Sequence, residues 1–284
     1  MPKNNRDHTV PKFLLRNFGE TLHVFDKTNE GHFLRRYDEA PAWERGIESN
    51  AVGEFLKRLD YEGSRSIRNF VKNLGNPSDA DRQTIALFSM VLAFRNQAFR
   101  NLLVRQIQSN YQHIVADPRL DEFRARLNRE LANNTLVQKV LHEAPQWALL
   151  LYRMNWSVLV NKTRLPFWIS DNPVTGYDYL FDTREHPNAF LNARGIMVHI
   201  PLSKDVQLVA ADPAAYFKPK PVQEVSSVKD ILHCNNIQVA AATRFIFASE
   251  DSTEIIKRMI HDETEHQFTN EYLESMQESF GQNE

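Results

Sequence analysis

Several polar side chains of this chain stand where chemistry is commonly done. His8 lies just ahead of Pro11, at the entrance of a short helical segment. Imidazole titrates near neutrality, so His8 is a candidate general base or metal ligand. The run Pro166-Phe167-Trp168-Ile169-Ser170-Asp171-Asn172-Pro173 ends an apolar strand in a polar turn. Asp171 continues the face of Phe167 and Ile169, which sets its carboxylate at the rim of the core. Asn172 precedes a proline and is held extended or in a turn. Their carboxylate and carboxamide oxygens are hard ligands that could hold a metal or orient a water. Arg16 can hold an anion. This set predicts a hydrolase for a phosphate-containing or nucleic-acid substrate. His8 and Asp171 are then the catalytic pair, and Arg16, Asn172 and Ser170 hold the substrate.

Each of these residues also has a structural reading. His8 can bond a backbone carbonyl at the helix entrance. Arg16 can pair with Asp26 or Asp171. Asp171 can form an Asx-turn that merely ends the strand. On that reading the chain is a non-catalytic binding or interaction module. No paired acidic motif stands beside Asp171, so the sequence assigns no metal, and it names no cofactor and no oligomeric state. His261 and His266 are five apart, which on a helix turns their rings about 140° from one another. They read as part of a solvated charged face. No Gly-rich phosphate loop, Gly-x-Ser-x-Gly elbow or Cys/His ladder is present. Cys234 falls inside a predicted helix with no activating motif and reads as buried and inert.

The elements that must position these groups follow from periodicity. Residues 1–7 read as disordered. Pro11 suits the first position of a short helix that turns Phe13, Leu14 and Phe18 inward, and Gly19 suits its stop. Residues 21–27 and 33–37 read as a hairpin across Thr28-Asn29-Glu30-Gly31. Residues 50–74 have a helical period, weakened by Gly53 and Gly63. Ser78 is a good N-cap, and apolar spacing without proline or glycine predicts one long central helix over 79–115. Charged and apolar helices follow over 119–133 and 135–154, the second split or kinked at Pro145. Strands are expected at 155–160, with 166–170 as its partner, and at 196–200 and 206–211. Residues 226–243 should be helical, 244–248 a strand, and 252–280 an exposed helix. The helix at Pro11 should pack on the strand 166–170.

Helices in the first half and a mainly antiparallel sheet in the second make an α+β fold. The chain reads as a single domain over 1–284, or as two interlocked subdomains of about 1–154 and about 155–284. Net charge is −2, with 34 basic and 36 acidic side chains, which does not indicate nucleic acid as a partner; a local basic patch would be needed. A single cysteine predicts a reducing compartment and a cytoplasmic location. No apolar run reaches the roughly 20 residues needed to span a bilayer.

The order of these pieces resembles one family, the domain of unknown function 4238. Its opening His-x-x-Pro-x-x-x-Leu-Arg-x-Phe is matched by His8, Pro11, Leu15, Arg16 and Phe18, and its Asp-Lys strand by Val24-Phe25-Asp26-Lys27. A Glu-bearing helix and an Arg-bearing helix are matched by Glu54 or Glu62 and by Arg95. Ser170–Pro173 matches a Ser-Asp-Asn-Pro element, and Pro201-Leu202-Ser203 a Pro-Leu-Ser element. Asn235 or Asn236 and Arg244-Phe245 close the series. The resemblance adds Arg95 to the substrate-binding candidates. It implies where the important residues lie, and no activity.

Overall fold

The computed structural model describes residues 6–45, 50–74, 76–96, 133–178, 195–217 and 219–261. The fold is α+β, as expected, with helices concentrated in the first half and strands in the second. At the N-terminal end, β1 (Arg6–His8) pairs antiparallel with β4 (Trp43–Arg45), so Arg6 and Asp7 belong to a strand rather than to a disordered tail. Between them lie α1 (Lys12–Arg16) and the expected hairpin of β2 (Thr21–Asp26) and β3 (Gly31–Arg36). Leu14, Leu15 and Phe18 are fully buried beneath α1. The chain turns away at Gly19, whose φ of 154° is one that side-chain-bearing residues rarely adopt.

Next come α2 (Asn50–Lys72) and α3 (Asp79–Arg95). Ser78 caps α3 as expected, accepting from the Asp81 N–H and donating to the Asp81 carboxylate. From Ile85 to Arg95 nearly every residue of α3 is buried. The helix is shorter than its spacing predicts. Asn96 is extended, with ψ of 136°, and the helix stops at Arg95. Residues 97–115 and the helix expected over 119–133 lie outside the described residues. The apolar rhythm of 79–115 carries no information about that stop. Asn96 has a tertiary use instead, donating from Nδ2 to the Asp171 carbonyl at 2.7 Å.

Helix α4 (Asn133–Arg153) packs on α3 and runs through Pro145 without interruption. Arg82 of α3 ties its end down, donating to the carbonyls of Tyr152 and Met154 while lying over the Trp156 ring. A five-stranded sheet follows in the order β10-β5-β9-β8-β7, from β5 (Asn155–Asn161), β7 (Thr175–Asp178), β8 (Ile196–Ser203), β9 (Val206–Ala211) and β10 (Val222–Val225). All its pairings are antiparallel except β10 with β5.

A second sheet, of order β3-β2-β11-β6, joins the hairpin to β11 (Phe245–Ala248) and the two-residue β6 (Ile169–Ser170). The expected pairing of 166–170 with the strand before it therefore does not form. Two of these residues pair with β11 in the other sheet. Pro166 has no N–H to offer a ladder, and helix α5 (Val228–Ala241) takes the place of a partner strand beside 166–168. Helix α6 (Thr253–His261) closes the described part of the chain. Helix α1 and residues 166–170 share one hydrophobic cluster and are tied through β8 and the turn after it. Asn17 donates to the Leu202 carbonyl, and the Lys204 carbonyl accepts from the Phe167 N–H. A single hydrophobic cluster takes in residues from Val10 to Ile256.

Candidate functional site

Ser170, Asp171 and Asn172 come together where α5 turns into β11, and all three are buried. Asp171 accepts three main-chain N–H groups. Oδ1 takes Thr243 at 2.8 Å, and Oδ2 takes Arg244 at 2.8 Å and Phe245 at 3.0 Å. Asn172 donates to the Ala241 carbonyl, one of the carbonyls that the end of a helix leaves without partners. Lys27 completes that cap, donating from Nζ to the carbonyls of Val239 and Ala242 at 2.8 and 3.0 Å. A cation there also complements the helix dipole. Burial pushes the Asp171 carboxyl up, against the pull of the three N–H groups and of Lys27. Burial likewise pulls Lys27 down, and Asp171 opposes the shift.

The flank of α5 holds the rest of the motif. Asn235 Oδ1 accepts from the Trp168 N–H, and its Nδ2 donates to the Pro166 carbonyl, both at 2.9 Å. The carboxamide thus reads an extended backbone as a neighbouring strand would. Gln238, one turn on, accepts from the N–H and Oγ of Ser170 and donates to the Pro173 carbonyl and the Thr175 hydroxyl. Asp26 holds Arg244, with Nε at 3.1 Å and Nη2 at 2.7 Å. That guanidinium keeps the Asp26 carboxyl below its ordinary range.

The other predicted residues lie apart from this hub. Arg16 is exposed and pairs with Glu20 at 2.8 Å, not with Asp26 or Asp171. It lies near its own helix end, while Arg244 occupies Asp26. Arg95 is buried and clamps Asp60 of α2, with Nη2 at 2.9 Å from Oδ1. The His8 main chain pairs with Trp43, and its side chain lies outside the described residues. His261 is exposed and meets Glu30 at 3.1 Å; His266 lies outside the described residues. Asn235 and Gln238 carry as much of the hub as the Ser-Asp-Asn run does. The signal for them was their spacing of three on a helix, which puts both carboxamides on one face.

Sequence reasoning missed a cavity. It lies between the five-stranded sheet and the opposite flank of α5, with a volume of about 360 Å³. Its floor is buried and includes Ser157, His199, Val209 and Cys234, while Asp230 and half-buried His233 stand at the rim. Asp230, His233 and Cys234 are one helical face of α5. Ser157 donates to the Lys220 carbonyl and accepts from Gln223 Nε2. His199 Nδ1 lies 2.8 Å from Gln207 Nε2. Burial first, and then the neighbouring His233, pulls His199 down to about 3. The ring is neutral at physiological pH and, with Nδ1 accepting, carries its proton on Nε2. Burial pushes the Cys234 thiol up to about 12. Tyr177 meets His233 edge to face at 5.6 Å.

The hub and the cavity share α5 and are joined through one bonded path. Gln238 bonds the Thr175 hydroxyl, which donates to the His199 carbonyl. Residues 6–252 match the profile of a family described as "Protein of unknown function (DUF4238)". No curated protein and no solved structure matches the chain.

Proposed function

The chain belongs to the DUF4238 family, and we propose that it is a binding module whose motif residues form a structural clamp beside a small-molecule pocket. The observation that supports this reading most is the cavity of about 360 Å³ between the sheet and α5. That volume lies within the range of small-ligand sites, and a mostly apolar lining with a few polar groups is the usual pattern of such sites. Its buried titratable groups, His199 and Cys234, are held neutral by burial. A pocket floor of that kind suits a neutral, largely apolar molecule with a hydrogen-bonding edge. Gln223 Oε1 and the His233 ring stand beside the cavity where such an edge would lie.

A hydrolase built on Asp171 draws less support. A general base or ligand needs a lone pair aimed at its substrate, and both Asp171 oxygens already accept backbone N–H groups. The clamp reading gives the same residues an occupation that needs no substrate. Among the described residues no helix is long and apolar enough to cross a membrane. The free, buried Cys234 thiol suits a reducing, cytoplasmic setting. The cluster running from Val10 to Ile256 suits one domain.

Saturation-transfer NMR with a set of neutral aromatic amides tests the pocket. The amides should bind the native chain and lose binding in Ala211→Phe, which fills the cavity. Equal binding to both chains, or to neither, removes the reading. Turnover of bis(p-nitrophenyl) phosphate that is lost in His8→Ala with the fold intact would favour the hydrolase instead.

A further inference from the structure

We propose that His23, His32 and Asp251 form a binding site for a divalent transition-metal ion of the Zn²⁺ class. The site lies on the small sheet and is separate from both the hub and the cavity. In the hairpin register His23 faces Leu34 and Phe25 faces His32, so the two histidines are diagonal neighbours on one face. Their rings stack within 16° of parallel, and His23 Nδ1 stands 3.0 Å from His32 Nε2. Strand β11 pairs with β2 at Ala248 and His23, and the chain leaving it brings Asp251 to the same spot. One ligand atom from each of the three residues lies within 4.8 Å of the others.

The plain alternative is a hydrogen bond between two neutral imidazoles. Two features favour an ion. The first is the donor set. Two imidazoles with a carboxylate suit Zn²⁺, Cu²⁺, Ni²⁺ or Fe²⁺, whereas Mg²⁺ and Ca²⁺ prefer all-oxygen shells. Two nitrogens on one tetrahedral Zn²⁺ stand roughly 3.3 Å apart, within a few tenths of an ångström of the His23–His32 spacing.

The second is the setting of the carboxylate. The Thr253 N–H and hydroxyl both donate to Asp251 Oδ1, at 3.0 and 2.6 Å. These bonds orient the group as outer-shell partners orient a metal ligand. Among the described residues Oδ2 accepts no hydrogen bond. Three protein ligands leave a fourth position for solvent, the open form of such sites. An ion here would bind the start of α6 to the hairpin. The far end of α6 already touches it through His261 and Glu30.

Zn²⁺ titration of the full chain by calorimetry, with Co²⁺ absorption as a probe of coordination, tests the site. One equivalent of Zn²⁺ should bind and raise the melting temperature. His32→Ala and Asp251→Asn should each weaken binding at least about tenfold, the scale on which even outer-shell losses are felt. His32 and Asp251 are exposed, so both variants should fold, and Asp251→Asn retains an oxygen for Thr253. His261→Ala should bind as the native chain does. Absence of Zn²⁺ binding, or a loss below tenfold in either variant, overturns the proposal.

Discussion

Asp171 and Arg244 are joined through main chain rather than through their charges. The Asp171 carboxylate accepts the Arg244 N–H at 2.8 Å, while the Arg244 guanidinium turns away to Asp26. Opposite charges in one neighbourhood have thus been given separate partners. The consequence is a turn fixed from both sides. Asp171 holds the N–H groups that follow α5, and Lys27 and Asn172 hold the carbonyls that end it. Polar residues from β2, the Ser-Asp-Asn run and the α5–β11 turn meet in one paired network. A buried network of this kind specifies a unique arrangement when every member is satisfied.

Asp171→Ala should therefore be a stability mutation. It leaves three N–H groups without their acceptor, and bonds to a charged group contribute about 1.5–3 kcal/mol each. Thr243 and Arg244 are exposed enough for water to replace part of that. A loss of about 3 kcal/mol in urea unfolding is expected, within the range of Leu92→Ala, which should cost about 2–5 kcal/mol. Asp171→Asn keeps one oxygen and should fall between. A loss below about 1 kcal/mol would make Asp171 a chemical group again rather than a clamp.

Asp26 should contribute to the acid limb of stability. Its folded carboxyl is held low chiefly by Arg244. A depressed carboxylate contributes stability that is full above its ordinary value of 3.8 and is lost as the pH falls through the lower folded value. Arg244 is half exposed, and solvent screens the pair, so the contribution is about 1 kcal/mol. Melting temperature against pH should show Asp26→Asn below the native chain at neutrality, with the two converging in acid. A constant gap down to the lowest pH would mean that packing, and not ionisation, makes the difference.

Much of this was legible in the sequence for physical reasons. The hairpin, the cap at Ser78 and the helix at 228–241 follow from local rules, and the Ser-Asp-Asn run was found because a buried strand ended in polar residues. Which sheet Ile169 and Ser170 join could not be read. Alternation fixes a face, and the partner strand, β11, lies more than 70 residues on in the sequence. The cavity left no motif either. His199 and His233 are brought together by sheet register and helix packing, and neither has a telling neighbour in sequence. Arg95 entered the substrate-binding candidates through the family resemblance, and nothing local in the sequence announces Asp60 as its partner.

The cavity makes a claim about Cys234 that can be measured directly. The thiolate is the reactive form, and burial pushes this thiol up to about 12. At about pH 8 the folded chain should react with iodoacetamide about a thousandfold more slowly than the urea-unfolded chain, whose thiol has an ordinary value. The chain has one cysteine, so the rate of mass gain reports this site alone. Comparable rates in the two states would show a thiol open to solvent.

Gly63 supplies a case where two physical effects oppose each other. In an exposed helix, Gly→Ala gains about 1 kcal/mol, and by sequence alone Gly63 is simply a weak point of α2. In the fold it is where α2 meets α3. A Cβ added there would stand 2.6 Å from Cδ2 and 2.8 Å from Cγ of Phe88, with the Phe88 Cβ itself at 3.3 Å. Phe88 is only 1% exposed and has no free direction in which to swing. Overpacking of this kind costs about 1–3 kcal/mol and should outweigh the propensity gain, so Gly63→Ala should lower stability. The two effects separate in a double-mutant cycle. With Phe88→Ala already present the two ring contacts are gone and only the Cβ approach at 3.3 Å remains, so the same Gly63→Ala step should then cost much less. If Gly63→Ala lowers stability equally in both backgrounds, the close approach of α2 to Phe88 is not the reason this position is glycine.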